Sequence, residues 1–262
     1  MGEALKIRPI GVIGNDEFGP AIAERIAASR LHTLYAALPG SPSPIYGEML
    51  EPLASLHGFK LDCPVVLAAI EDTETFRMLF IDDAKTDFSV ELEPGSVLVD
   101  LGARTPDELQ SLLESLEGRG ITLVDAALIG GPEATTEGRA KILLGGDETS
   151  VVVAESVLSL LGHVERTGPL GSAHAAAALM GYVEAAHAVA REEAIALGAA
   201  CGLTPETLTR VLADETRPHG LNVVQLARRA ALARRIARDR SGGADIIDLA
   251  AEKQARTRRE NR

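Results

Sequence analysis

The chain has 262 residues, 46% of them hydrophobic, enough to bury a sizeable core in about two domains. A net charge of −12 excludes general nucleic-acid binding, because phosphate contacts require a basic face. Only Cys63 and Cys201 are present, with no C-x-x-C or metal-ligand spacing, so both are expected as reduced, buried thiols and no metal site is expected; no apolar run approaches a membrane span, and a cytoplasmic protein is expected.

Strand-like and helical runs alternate over the first 165 residues. Residues 7–13 read as a strand and 19–29 as a helix, with Pro20 in the first turn, where its missing N–H leaves no bond unmade. A second strand is expected over 31–38, a loop over 39–44, a short helix over 45–57 and a third strand over 64–70. A helix at 73–80, a strand at 96–102, a helix at 106–117, strands at 121–131 and 140–146 and a helix at 149–161 follow. This order predicts an α/β fold with a doubly wound parallel sheet covered on both faces. After Gly168 the texture changes. Residues 171–202 are helix formers without proline, and a further helix opens at "TPET" with Thr204 as N-cap and Pro205 at the first helical position. Two more helical stretches are expected near 221–240 and 244–258. The domains are drawn as 1–166, Rossmann-like, and 167–262, all-helical. The charge is uneven: residues 217–262 carry +7 and the remainder −19. A solvated basic helical tail accounts for this; docking on the acidic surface of a partner subunit is the sharper alternative, and RNA or a membrane the third.

Four blocks, in order, resemble the β-hydroxyacid dehydrogenase superfamily, which includes 3-hydroxyisobutyrate dehydrogenase, 6-phosphogluconate dehydrogenase and the imine reductases. They are "IGVIGNDEFGPAIA" (10–23), "VLVDLGARTP" (97–106), "LVDAALIGGPEATTEGRAKILLGGD" (123–147) and "TGPLGSAHAAAALMGY" (167–182). The resemblance implies an N-terminal Rossmann domain for NAD(P), a long interdomain helix, a small all-α domain and a homodimer. It also implies four functional positions. At the phosphate turn Gly14 and Gly19 match the first and third glycines, while Asp16 stands at the second, where backbone must approach a diphosphate. A carboxylate about 4 Å from a phosphate charge costs about 4 kcal/mol at an effective dielectric near 20, close to a thousandfold in affinity. Asp16 and Glu17 are also suited to satisfy the helix N-terminus themselves. After the second strand no acid or base stands ready for a ribose; Ser41 and Ser43 are the polar groups there.

In the substrate loop Ile129 stands at the family's Ser, and Gly130 and Gly131 are kept. In the family's "D-x-S-T-x-x-P" block, Asp100 and Pro106 match, with Gly102 and Ala103 in place of Ser and Thr. On the long helix Ala177 stands at the catalytic Lys, and Met180 and Gly181 at the Asn pair. On a helical wheel His174 lies about 60° and Glu184 about 20° from Ala177, so both share the stripe that the family turns toward substrate. They are about 15 Å apart along the axis, too far to pair but able to bracket a ligand as an acid–base couple. Three functions remain open. The first is a repurposed non-redox enzyme acting by acid–base chemistry on a largely apolar small molecule in the cleft, with no cofactor expected. The second is an NAD(P)H-dependent reductase with atypical contacts, and the third a non-catalytic binding or scaffold protein. Asp100, Arg104, His174 and Glu184 favour the first as polar groups that remain for a cleft.

Overall fold

The computed structural model describes residues 8–14, 16–39, 41–53, 59–82, 90–200, 204–211, 225, 228 and 231–232. In chain order these form β1 (Ile10–Gly14), α1 (Phe18–Ala28), β2 (Thr33–Ala37), β3 (Leu50–Pro52), β4 (Phe59–Leu61), β5 (Val65–Ala69) and α2 (Thr73–Phe80). Then come β6 (Val90–Leu92), β7 (Val97–Asp100), α3 (Pro106–Glu117), β8 (Thr122–Ile129), α4 (Gly131–Thr136), β9 (Ala140–Gly145), α5 (Glu148–Leu158), β10 (Gly162–Gly168), α6 (Ser172–Ala200) and α7 (Pro205–Val211). The chain divides into two compact units between His174 and Ala175, inside α6.

In the first unit eight strands make one sheet in the order β10-β9-β8-β7-β5-β1-β2-β3, and β4 pairs with β6 apart from it. Strand side chains alternate between two cores. On one face Val12, Val65, Leu67, Val97 and Val99 meet Ile22 and Ile26 of α1 and Val151, Ala154 and Leu158 of α5. On the other Ile13, Val66, Ala68 and Leu98 meet Phe76, Leu79 and Phe80 of α2 and Leu109, Leu112 and Leu116 of α3. Both faces are covered, as the near-continuous apolar runs of β1 and β5 demand. Helix α3 starts on a reciprocal cap: Thr105 accepts from the Glu108 N–H, Glu108 accepts from the Thr105 N–H, and Pro106 stands in the first turn.

Two expectations change. The stretch 45–57 does not make a helix in its described part; Leu50–Pro52 adds β3 at the sheet edge, parallel to β2. Pro52 explains this, because a proline has no N–H to donate within a helix and is tolerated on an edge strand. The sheet is also not wholly parallel: β9 runs antiparallel to β8, and β10 parallel to β9. Only the short α4 joins β8 to β9, and a parallel return needs a longer crossover. Strand β10, missed by the periodicity reading, supplies the outer edge.

In the second unit the rest of α6 buries Ala178, Ala185 and Val189 and exposes Leu179 and Val183. The Thr204 hydroxyl accepts from the Thr207 N–H ahead of α7, the cap read from "TPET". The stretches expected near 221–240 and 244–258, with the basic tail, lie outside the described residues apart from helical Gln225, Arg228, Ala231 and Leu232. No described helix is long and apolar enough to cross a membrane.

Candidate functional site

The turn after β1 brings Gly14, Asp16 and Gly19 together. A Cβ at Gly14 would lie 2.8 Å from the Gly19 Cα, and one at Gly19 would lie 2.9 Å from the Tyr35 Oη. Both glycines are therefore required by the close seating of α1 on β1 and β2. Asp16 Oδ1 accepts from the Phe18 N–H at 2.9 Å, so the first exposed donor of α1 is satisfied by a side-chain anion of the chain itself. Glu17 beside it is exposed. The Gly14 carbonyl accepts from the Leu38 N–H and from the Ser41 hydroxyl, both at 3.0 Å, which ties the loop after β2 to the end of β1. Beneath the turn Tyr35 is 0% exposed and its hydroxyl makes no hydrogen bond. Burial first, then Tyr46 and Asp16, hold its phenol well above the ordinary tyrosine range.

A second cluster joins β7, β8 and the start of α6. Asp100 and Arg104 are both 0% exposed and pair at 2.7 Å. Asp100 Oδ1 also accepts from the Gly102 N–H, and Arg104 Nη2 donates to the Ile70 carbonyl at 2.9 Å. The guanidinium lies 4.5 Å from the centre of the Phe76 ring. A Cβ at Gly102 would overlap Arg104 Nη1 and lie 2.5 Å from the Ile70 carbonyl oxygen, so position 102 has no room for a side chain. His174 is 1% exposed. Its Nε2 faces the carbonyls of Asp100 and Ala126, each at 3.1 Å, and must carry the proton because carbonyls only accept. Its Nδ1 accepts from the Arg104 N–H at 3.3 Å. Asp125, buried in β8, accepts from the N–H groups of Gly171 at 2.7 Å and His174 at 2.9 Å, capping α6. Sequence reading passed over Asp125 and Tyr35; the first stands in a quoted block and the second beside the expected ribose position.

Ile129 is buried at the end of β8. Gly130 and Gly131 have φ of 117° and 82°, a left-handed turn open to glycine, and lead into α4. Ala177 and Gly181 are buried on α6, and Glu184 is partly buried. Asp100 and His174 thus meet, directly and through Arg104. Gly130 and Gly131 form a separate turn. Among the described residues no group of three His, Cys, Asp or Glu is placed to hold a metal.

Residues 9–171 match the family model for the NAD binding domain of 6-phosphogluconate dehydrogenase. Over 119 residues, 45% of the chain, it is 28% identical to 2-(hydroxymethyl)glutarate dehydrogenase of Eubacterium barkeri, covering 40% of that protein. Over 122 residues, 46% of the chain, it is 29% identical to the mitochondrial 3-hydroxyisobutyrate dehydrogenase of Rattus norvegicus, covering 36% of it. Each match therefore spans less than half of the relative's own length. Among solved structures, the 3-hydroxyisobutyrate dehydrogenase of Mycobacterium tuberculosis with L-serine shares the fold. Its TM-score is 0.75 at 17% identity, over 96% of this chain and 94% of that one. An imine reductase from Aspergillus terreus in complex with NADPH4 and dibenz[c,e]azepine gives 0.66 at 16%, over 97% and 94%.

Proposed function

The chain belongs to the NAD-binding family of 6-phosphogluconate dehydrogenase, and from that premise we propose that it is a member without conventional hydride transfer, acting on a small, largely apolar molecule. The observation that carries this is the Asp16 carboxylate on the Phe18 N–H at 2.9 Å. The residues of the turn do not fit a dinucleotide. The donor that a diphosphate would take already holds an anion, and the two negative charges repel. Ser41, a candidate contact for a 2′-phosphate, donates to the Gly14 carbonyl instead. At the block that ends β7, the Arg104 guanidinium fills the space of a side chain at 102.

In this proposal His174 is a positioning residue, since both ring nitrogens engage backbone groups. In the same proposal Glu184, partly buried on α6, is the group that moves a proton. The engagement of both His174 ring nitrogens by backbone groups also favours a second reading, binding without catalysis. A homodimer belongs to the same proposal: Leu179 is 54% and Val183 48% exposed on successive turns of α6, an apolar stripe for a second copy to cover.

Titration with NADH and NADPH, followed by nucleotide fluorescence, tests the central point. No saturation is expected, whereas binding tighter than about 100 μM, with the matching rise in melting temperature, would establish a nucleotide-dependent reductase. With nucleotide binding absent, turnover found in a metabolite screen and lost in Glu184→Gln selects the enzyme; ligand binding without turnover selects the binding protein.

A further inference from the structure

The two edges of the large sheet differ. An unpaired edge is a template for another strand, and native proteins blunt it or cover it. Strand β3 is blunted: it has three residues, and one of them is Pro52. Strand β10 has seven residues and no proline, and among the described residues no strand lies beyond it. Its outward groups follow from its pairing with β9. Gly162 stands beside Ala140 in the parallel register, and the Leu161 carbonyl accepts from the Ala140 N–H. Successive residues of a parallel strand turn their N–H and C=O groups to alternate sides. His163 and Glu165 therefore bond toward β9, while Gly162, Val164 and Arg166 present their backbone groups to the open side. Val164 packs on the core under α5, and Arg166, on the same face, pairs with Glu155 of α5. His163 and Glu165 are exposed on the opposite face, where Glu165 Oε2 meets Lys141 Nζ at 2.6 Å.

A second copy extends this sheet symmetrically when a two-fold axis runs perpendicular to it. The two β10 strands are then antiparallel, with outward residues opposite outward residues and like faces together. Charge selects the register. An axis at His163, Glu165 or Arg166 sets that group against its own kind. An axis at Val164 sets valine against valine and, twice over, His163 against Glu165 of the second copy. That pair falls at a position without main-chain hydrogen bonds, where antiparallel side chains approach most closely. Charged or neutral, the imidazole has an N–H for the Glu165 oxygen that Lys141 does not hold. Val164 with Val164, and Gly162 with Arg166, then exchange main-chain hydrogen bonds across the axis. We propose that β10 is a self-recognition edge, on which a second copy of this chain pairs antiparallel about Val164 and continues the sheet from one protomer into the next. This contact uses other residues than the α6 stripe and goes beyond the reading of the nucleotide turn.

Sedimentation equilibrium of the full chain carrying Leu179→Glu and Val183→Glu isolates the β10 contact, because those changes remove association through the α6 stripe. A dimer is expected. His163→Glu in that background sets like charges opposite each other in both pairs and should raise the dissociation constant about tenfold or more, with an unchanged circular dichroism spectrum. Adding Glu165→Lys should restore the dimer, since the opposite charges have then only changed places. A monomer in the Leu179→Glu/Val183→Glu background overturns the proposal, and if the parent protein is dimeric it leaves the α6 contact standing. A dimer indifferent to His163→Glu, or a loss that Glu165→Lys does not repair, overturns it as well.

Discussion

Around His174 both ring nitrogens meet backbone groups, whereas under the turn after β1 the buried Tyr35 hydroxyl has no hydrogen-bond partner. Both regions stand at the carboxyl ends of sheet strands, and both carry the residue types from which active sites are made. The first uses most of its polar groups to join β7, β8 and α6, leaving Asp100 Oδ2 and Arg104 Nε without a hydrogen bond; the second holds the Asp16 carboxylate at the head of α1 above an unmet hydroxyl. A histidine and a carboxylate near each other are therefore weak evidence for acid–base chemistry until their remaining bonds are counted.

The largest effect expected from breaking the first region is at Arg104. Arg104→Met leaves Asp100 charged and buried, and should cost about 3–5 kcal/mol in urea unfolding. Asp100→Asn/Arg104→Met should recover part of it. Gly102→Ser should be strongly destabilising and only partly rescued by shortening Arg104, because a Cβ there meets both Arg104 Nη1 and, at 2.5 Å, the Ile70 carbonyl oxygen. Next comes Asp125→Ala, which strips the N–H groups of Gly171 and His174 of their acceptor and should cost about 2–4 kcal/mol.

In the second region Asp16→Gly removes the acceptor of the Phe18 N–H and should cost only about 0.5 kcal/mol or less. The same change should raise NADPH affinity by up to about a thousandfold, the reverse of the charge penalty. The smallest effect is acid sensitivity. Asp72, held down chiefly by the Thr75 side-chain bond, and Asp147, held down chiefly by that of Ser150, both titrate below their ordinary 3.8 in the folded state. Their contribution is present above that value and is lost as pH falls below it toward the folded pKa. Asp72→Asn and Asp147→Asn should each lower stability near neutrality, flatten its dependence on pH in that acid window, and converge with the parent protein at the acid end.

Much of this was legible beforehand, for identifiable reasons. The buried runs at Val12 and Val65 and the amphipathic helices around Phe76 and Leu109 announce a covered sheet through their spacing. Asp16 was legible because the glycines around it fix what the backbone there must do. Strand β3 was not, since three residues carry too little period to outweigh the helix formers around them. The reversal of β9 was not, since strand direction is set by connection length and not by composition. Asp125 and Tyr35 owe their roles to Gly171 and Gly19, which the fold alone brings to them. The role of His174 was not legible, since its N–H is held by Asp125 and its ring by the Arg104 N–H and the Asp100 and Ala126 carbonyls, partners that only the fold brings to it.

The most direct measurement is a crystal of the full chain soaked in millimolar NADPH. The account predicts an undisturbed turn, with Asp16 still on the Phe18 N–H and no diphosphate across the head of α1. Ordered NADPH along that turn, with the Asp16 carboxylate displaced from Phe18, would contradict it.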